Sequence, residues 1–587
     1  LYEAFLQGEA DDESIMPAGS YATRPDGTEP VPAVIGWPAG DPEEGRGSNN
    51  WVVGGARSAT GKPMVASDPH IAFGAVSCWY EVHLLGGSFD VAGTGYAGVP
   101  GVIFGRTRRV AWGVTNNICS QRDLYQERTD PAHPGAFLHD GRWEPAREVV
   151  EEIRVRGAAP VRRTVRFSRN GPIVDELLPP AARRTGPVAL RWLGATPCGW
   201  PTALLRMNRA RSADEFRQAL RGWSVPTWSL VFGDVDGRIG YQAAGRIPVR
   251  RLRERAYRPG WDPAHRWDGV VPFERMPSLA DPARGFIATA NNRPAPDDFP
   301  YPLSGTWSSG HRARRVREMI EAGPVLSRED FGRMQQDVLS LRAVECVPKL
   351  LKALASIPDA LADARLRRAA ERLETWDARM EVDRVGAAIF GVFFPRFCRL
   401  VTDERFDPEA SELASGAAAG LAADLLGGDR VGWFARGSRE EAVLRAFRDA
   451  VAELTGRLGP DVDGWTWGRL HQIRLRHVLS DRGDLGALLD RGGLPVKGDG
   501  VTVCNTGFDP NYLAPMGANY RLIAELASEP PGLWAVDAQG QSGHPGSPHY
   551  GDQLAEWIAG RYHYLSLDRA EVARTVRHTL RLEAPGP

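Results

Sequence analysis

GSNNWVVGGARSATGKPMVASDPHI, residues 47–71, is where the chain changes character. Upstream, residues 1–47 are rich in Pro, Gly, Asp and Glu, as in RPDGTEPVPAVIGWPAGDPEEGRG (24–47). They hold no helical or strand period and read as an exposed connector. Downstream, short apolar runs broken by glycine take over: WVVGGA (51–56), PMVAS (63–67), GVIFG (101–105) and VAWGV (110–114). Runs this short, bounded in this way, are the pattern of strands buried in stacked sheets. Ser48 stands at the seam and has two readings. In one it opens a turn that Asn49 and Asn50 continue. In the other the peptide bond after Gly47 is cut and Ser48 becomes an N-terminus. A free α-amino group titrates at about 7.7 to 8.0 and can take the hydroxyl proton at neutral pH, so one residue supplies nucleophile and base. Gly47, with no side chain, tolerates the geometry that self-cleavage needs.

Composition narrows the partners. The 587 residues carry 72 Lys+Arg against 73 Asp+Glu, a formal charge of −1, and are 42% hydrophobic and 25% charged. A core of this size folds without help, and a balanced charge removes the basis for broad nucleic-acid or acidic-membrane binding. Nearly all the basic charge is Arg, with Lys62, Lys349, Lys352 and Lys497 the only lysines; this reads as compositional bias and says nothing of function. Cys78, Cys119, Cys198, Cys346, Cys398 and Cys504 lie far apart, with no zinc spacing, and their pairing stays open. No stretch reaches the roughly 20 apolar residues of a membrane span. The best, GAAIFGVFF (386–394), is cut by Pro395 and reads as a buried helix. Leu1 and the acidic GEADDES (8–14) carry neither an initiator Met nor a signal peptide, and the natural N-terminus is expected upstream.

The order of patterns sets the architecture. LVFGDVDGRIGYQAAG (230–245) places two β-runs around Asp236-Gly237, a hairpin signal. From about Leu326 to Leu458 the period turns helical, with Ala362, Leu366, Ala369, Leu373 and Trp376, then Val443, Phe447, Val451 and Leu454. β-runs return, and an amphipathic helix is expected near Arg569 to Leu582. β-runs, inserted helices, β-runs again describe one large α+β body.

Several motifs fail on context. Gly93, Gly95 and Gly98 spell GxGxxG, but Val99-Pro100-Gly101 follows where a dinucleotide site needs a helix. Asp234-Val235-Asp236-Gly237 starts like a calcium loop that no Glu closes. Gly540-Gln541-Ser542-Gly543-His544 lacks the second glycine of a nucleophile elbow. His544 and His549 sit in a Gly/Pro loop and read as solvated.

Seven ordered segments carry a resemblance: residues 48–71, GVPGVIFGRTRRVAWGVTNN (98–117), DLYQE (123–127), GDVDGRIGYQAAGRIPVR (233–250), WDGVVPFE (267–274), GFIATANNRP (285–294) and GQSGHPGSPHYGDQ (540–553). In order and approximate spacing they resemble the penicillin acylase (penicillin amidase) family of N-terminal nucleophile hydrolases. That resemblance implies an αββα four-layer sandwich with an inserted helical block, made as a zymogen and cut by its own serine. Residues 1–47 would be the end of a small chain and connector, and 48–587 the large catalytic chain, with the helical block at about 326–458. Ser48 resembles the nucleophile freed by scission of Gly47–Ser48. Asn116 matches the position whose backbone N–H enters the oxyanion hole, Asn291 the residue whose side-chain amide is the second donor, and Arg312 an arginine that orients them. His70 stands where some members carry Gln and others, including cephalosporin, lipopeptide and acyl-homoserine-lactone acylases, carry His, and is expected to bond the α-amino group. Ile71 and Phe104 align with acyl-pocket positions and imply an apolar acyl group.

The chain departs from the family in two places. At the family's calcium site Asp123 fits, but Ser120 stands where a carboxylate is expected, so structural calcium stays open. The family's small chain is much longer than 47 residues, so most of it is expected to be absent, leaving apolar surface uncovered. The resulting expectation is a self-processing amidohydrolase that needs no cofactor for catalysis. It would act on a small-molecule acyl amide, such as a β-lactam side chain, an acyl-homoserine lactone or a lipopeptide, in the periplasm or outside the cell, with neither nucleic acid nor a membrane span involved. The alternative is a non-catalytic member, or an inactive fragment, that binds acylated ligands.

Overall fold

A computed structural model describes residues 13–21, 47–178, 183, 186–252, 257–305, 307–429, 432–434 and 436–583. Most of the expected connector, 1–12 and 22–46, lies outside the described residues. Within 13–21 the expectation of an exposed connector fails at three residues: Ser14, Ile15 and Met16 are buried, with Ile15 and Met16 N–H groups donating to the carbonyls of Arg293 and Pro294, while residues 17–20 are exposed. Two adjacent apolar side chains outweigh the polar composition around them.

The quoted stretch forms two paired strands, β1 (Gly47–Val53) and β2 (Met64–Ala72), antiparallel with Gly47 opposite His70 and Asn49 opposite Asp68. They sit in the middle of a seven-stranded antiparallel sheet. Phe286–Thr289 flanks β1; Tyr520–Glu525 and Met516–Ala518 pair with β2, followed by Gly532–Asp537 and His563–Ser566. A second seven-stranded sheet runs Ser278–Ala280, Ile239–Ala244, Trp228–Asp234, then β6 (Val110–Asn116), β5 (Phe104–Thr107), β4 (Phe89–Tyr96) and β3 (Trp79–Gly86). The Asp236-Gly237 turn closes its central hairpin, with Gly237 at φ +100°.

Side-chain alternation assigns the layers. Trp51, Val53, Met64 and Ala66 face outward and pack on Val316, Ile320, Phe331 and Met334 of helices His311–Ala322 and Arg328–Gln335. Val52, Val65 and Ile287 face the second sheet. The sheets approach so closely at Gly113 that a Cβ there would stand 2.9 Å from the Ser67 Cβ and 3.1 Å from the Asn50 Cβ. The far face of the second sheet is covered by helices Trp200–Met207 and Ala213–Ala219, with Phe216 between Trp112 and Phe232. The fold is an αββα sandwich.

Five helices, Leu341–Ala355, Ala364–Glu374, Val385–Asp403, Pro408–Gly427 and Arg439–Leu458, form the inserted block around their own core of Phe390, Phe393, Phe397 and Phe447. Val385–Asp403 does not stop at Pro395 as expected. It runs 19 residues at mean hydropathy 1.5, so by length and composition it could cross a membrane, yet 72% of its most apolar window is buried inside the protein. Packing of its phenylalanines outweighs the roughly 3 kcal/mol that an internal proline costs a helix. The C-terminal helix, conversely, ends early: it spans Arg569–Thr575, capped by Asp568. Val576, Leu580 and Leu582 beyond it are exposed, and an apolar stripe with nothing to cover it does not sustain a helix. No disulfide joins the six cysteines, all of them among the described residues.

Candidate active site

Strand alternation puts the Ser48 side chain on the inter-sheet side of β1 and that of Asn49 on the helix side. The Ser48 hydroxyl donates to the Gly47 carbonyl. Its backbone N–H donates to Asn291 Oδ1 at 2.7 Å, and its carbonyl accepts from Arg312 Nη1 at 2.9 Å. A side chain on Gly47 would collide with this arrangement, since its Cβ would lie 2.3 Å from Asn291 Oδ1 and 2.7 Å from Arg312 Nη2.

Asn291 follows the edge strand Phe286–Thr289 at φ +65°, a left-handed conformation that Asn enters more readily than most residues. Its Nδ2 donates to the Asn116 carbonyl at 2.8 Å, and its Oδ1 also accepts from Arg312 Nη2 at 3.0 Å. Arg312 lies in the first turn of its helix, entered through Gly310 at φ +76°, which a side chain would disfavour. Asn116 ends β6 with its side chain exposed. Ser48, Asn116, Asn291 and Arg312, up to 264 positions apart, are thus joined by hydrogen bonds.

His70 is fully buried, and among the described residues it bonds no atom of Ser48. Its Nε2 lies 2.8 Å from Asp68 Oδ2 and 3.1 Å from Asn49 Nδ2, and its Nδ1 has no hydrogen-bond partner. Burial, reinforced by Arg312 and Arg521, pushes its pKa well below the usual imidazole value, so the ring is neutral. A neutral ring facing the ionised carboxylate carries its proton on Nε2. Asp68 receives Asn49 Nδ2 at 2.8 Å and Gln335 Nε2 at 3.2 Å, and the Tyr562 hydroxyl donates to Gln335 Oε1 at 2.7 Å. Burial pushes Asp68 up to about 7, opposed by Arg521 and by the Asn49 and Gln335 amides. Asn49 Oδ1 accepts from Arg312 Nη1 at 2.7 Å. Asn49, Asp68 and Gln335 escaped the sequence reading. The first two stood in the quoted motif, but only the β1–β2 register turns both toward Arg312.

Ile71 is half-buried, and Phe104 packs its ring against Trp79 at 4.9 Å and Tyr520 at 5.7 Å, with Trp79 stacked on Tyr96 at 4.5 Å. Both therefore join the apolar cluster beside β2, together with aromatic residues not singled out from sequence. Asp123 does not fit a calcium ligand. Its carboxylate accepts from Arg250 Nε at 2.8 Å and Trp267 Nε1 at 2.5 Å and pairs with Arg258 Nε at 3.1 Å. Two guanidinium groups and an indole N–H converge on Oδ2 and compensate the charge a cation would need, and no cluster of three or more His, Cys, Asp or Glu stands ready for a metal among the described residues. His549 pairs with Asp552, and His544 accepts from Gly546 N–H, both within their own exposed loop.

Sandwich and site together define an N-terminal nucleophile hydrolase fold. Residues 3–574 match the penicillin amidase family, and the chain belongs to it. It is 30% identical over 560 residues to the acyl-homoserine lactone acylase QuiP of Pseudomonas aeruginosa, covering 88% of this chain and 66% of that one. It is 33% identical over 553 residues to the penicillin acylase 2 proenzyme of Pseudomonas sp. strain SE83, covering 90% and 68%. The chain thus spans about two thirds of the length of these relatives. The solved thermostable penicillin G acylase of Alcaligenes faecalis superposes with a TM-score of 0.71 at 21% identity, over 92% of this chain and all of that one, a likeness of fold.

Proposed function

We propose that the chain is the catalytic part of a self-processing acylase that hydrolyses an amide bond through an acyl-Ser48 intermediate. The observation that carries this reading is the set of bonds on Ser48: hydroxyl on the Gly47 carbonyl, N–H on Asn291, carbonyl on Arg312. In processing, the hydroxyl oxygen attacks the Gly47 carbonyl carbon, the Gly47–Ser48 C–N bond breaks, and the amine leaves with the hydroxyl proton. Water then hydrolyses the ester, leaving residues up to 47 as a small chain's end and Ser48 as a terminus.

In catalysis the new amine, held by Asn291 Oδ1, takes the Ser48 hydroxyl proton through a water as the oxygen attacks the substrate carbonyl. Negative charge gathers on the carbonyl oxygen, where the Asn116 N–H and Asn291 Nδ2 donate. Each such donor is worth roughly 3 kcal/mol of barrier. The amine product leaves with the proton, and water releases the acid. Scission detaches Ser48 from Gly47, the residue in register with His70, and the unpartnered His70 Nδ1 then serves as an acceptor for the new amine. Ile71 and Phe104 line the acyl side, favouring an apolar acyl group. The relatives' names, acyl-homoserine lactone acylase and penicillin acylase 2 proenzyme, support N-acylated small molecules as substrates and a precursor that is processed; a small chain of the same precursor as partner and an exported or periplasmic location rest on the family resemblance. No calcium enters this scheme.

Mass spectrometry tests it. The parent is expected to yield two chains, the larger beginning at Ser48, while Ser48→Ala remains one chain. A parent that stays whole, or an alanine variant that is still cut, overturns the reading in favour of a non-catalytic acyl-ligand binder.

A further inference from the structure

The polar groups beneath Ser48 form a directional chain. The ionised Asp68 carboxylate only accepts, and Arg312 only donates. Asn49 lies between them, so its NH2 must face Asp68 and its Oδ1 must face Arg312. The opposite orientation would set carbonyl oxygen against carboxylate and NH2 against guanidinium, both of them buried. The same logic passes on. Arg312 and the Ser48 N–H both donate to Asn291 Oδ1, which turns Asn291 Nδ2 toward Asn116 and the position where oxyanion charge would develop. Gln335 is oriented likewise, its Oε1 receiving the Tyr562 hydroxyl and its Nε2 donating to Asp68. Asn49, Asp68, His70 and Gln335 are fully buried, and Asn291 and Arg312 nearly so.

We propose that Asp68 is a positioning residue of the reaction centre: the acceptor end of this chain, it fixes the Asn49 amide, and through Arg312 it fixes the side chain of Asn291. It lies on the face of β2 opposite the Ser48 hydroxyl and touches no reacting atom. The proposal deepens the acylase reading and rests on Ser48 as nucleophile.

The test compares the parent with Asp68→Ala, Asp68→Asn, and the exchange Asp68→Asn with Asn49→Asp. In the exchange, a carboxylate at 49 still accepts from Arg312 and from the amide at 68. Scission rate and hydrolysis of phenylacetyl and hexanoyl p-nitroanilides are measured. Asp68→Ala is expected to lose about 100-fold in both scission rate and kcat, with KM nearly unchanged, since misplacing a catalytic group by about 1 Å costs this much. The exchange is expected to recover most of the loss relative to Asp68→Asn. Parental rates in Asp68→Ala, or an exchange no faster than Asp68→Asn when both fold by near-ultraviolet circular dichroism, overturn the proposal. If the parent neither cleaves itself nor turns over, the nucleophile reading fails separately. A crystal structure of Ser48→Ala with Asp68→Ala then decides the present point. Arg312 displaced from Asn49 supports it, and Arg312 and Asn291 unmoved overturns it.

Discussion

Asp68 and Asp123 are both carboxylates taken from water, and the chain treats them in opposite ways. Asp123 meets two guanidinium groups and an indole directly, a closed ion cluster that ties the strand Arg122–Gln126 to the segments around Arg250 and Arg258. Asp68 meets only neutral donors and reaches Arg312 through an intervening amide. Direct pairing cancels charge and holds two pieces of chain together. Pairing at one remove leaves the carboxylate poorly compensated, pushed up to about 7, but sets the sense of every amide between it and the cation. The first arrangement stabilises; the second orients.

Substitutions on the two sides test this contrast, the most damaging first. On the orienting side, Ser48→Ala is expected to abolish scission and reduce amide hydrolysis by about a millionfold, the usual loss when a serine nucleophile is removed, read by mass spectrometry and p-nitroanilide turnover. Next, Asn291→Ala removes one donor and also places alanine at φ +65°. It is expected to cost about 10²- to 10³-fold in kcat, with the thermal midpoint showing whether the backbone also suffers. On the stabilising side, Arg250→Ala leaves Asp123 buried against one fewer cation and is expected to destabilise by about 3 to 5 kcal/mol in urea unfolding. A chelator or added calcium is expected to leave that midpoint in place, since only a bound ion shifts it. A fall in stability with EDTA would mean that the arginines share the site with a metal.

The smallest effect is one of pH. Asp537 is pushed up from 3.8 to about 8, chiefly by burial, with the Ser77 and Gln539 hydrogen bonds opposing. Its folded value exceeds its unfolded one, so its contribution is fully present below pH 3.8 and is lost as pH rises toward 8. Asp68 acts with the same sign up to about 7. Asp537→Asn is expected to flatten this decline, by a few degrees in the thermal midpoint between pH 4 and 8. An unchanged slope would remove Asp537 from the account.

What the sequence disclosed was what is local or what a motif carries whole. Val52 and Val53, the Asp236-Gly237 hairpin and the period of Arg439–Leu458 can be read from neighbours alone. Ser48, Asn291 and Arg312 came from recognisable segments. Pairs that exist only after folding stayed hidden: Asn49 with Asp68 needs the strand register, and Arg250 with Asp123 spans 127 positions. Pro395 misled because local propensity argues for a break, while the surrounding helices supply enough burial to override it. Ile15 and Met16 misled in the opposite sense, two apolar residues inside a polar stretch that nonetheless find a groove beside Arg293 and Pro294.

The close approach at Gly113 has a mechanical corollary. Its missing side chain lets Ser67 and Asn50 rest on the opposite strand, and Asn50 is two residues from Ser48, so the spacing of the two sheets beside that serine is set by one hydrogen atom where other residues carry a methyl group. A methyl there would act as a wedge driven between two plates, forcing the sheets apart two residues from Ser48.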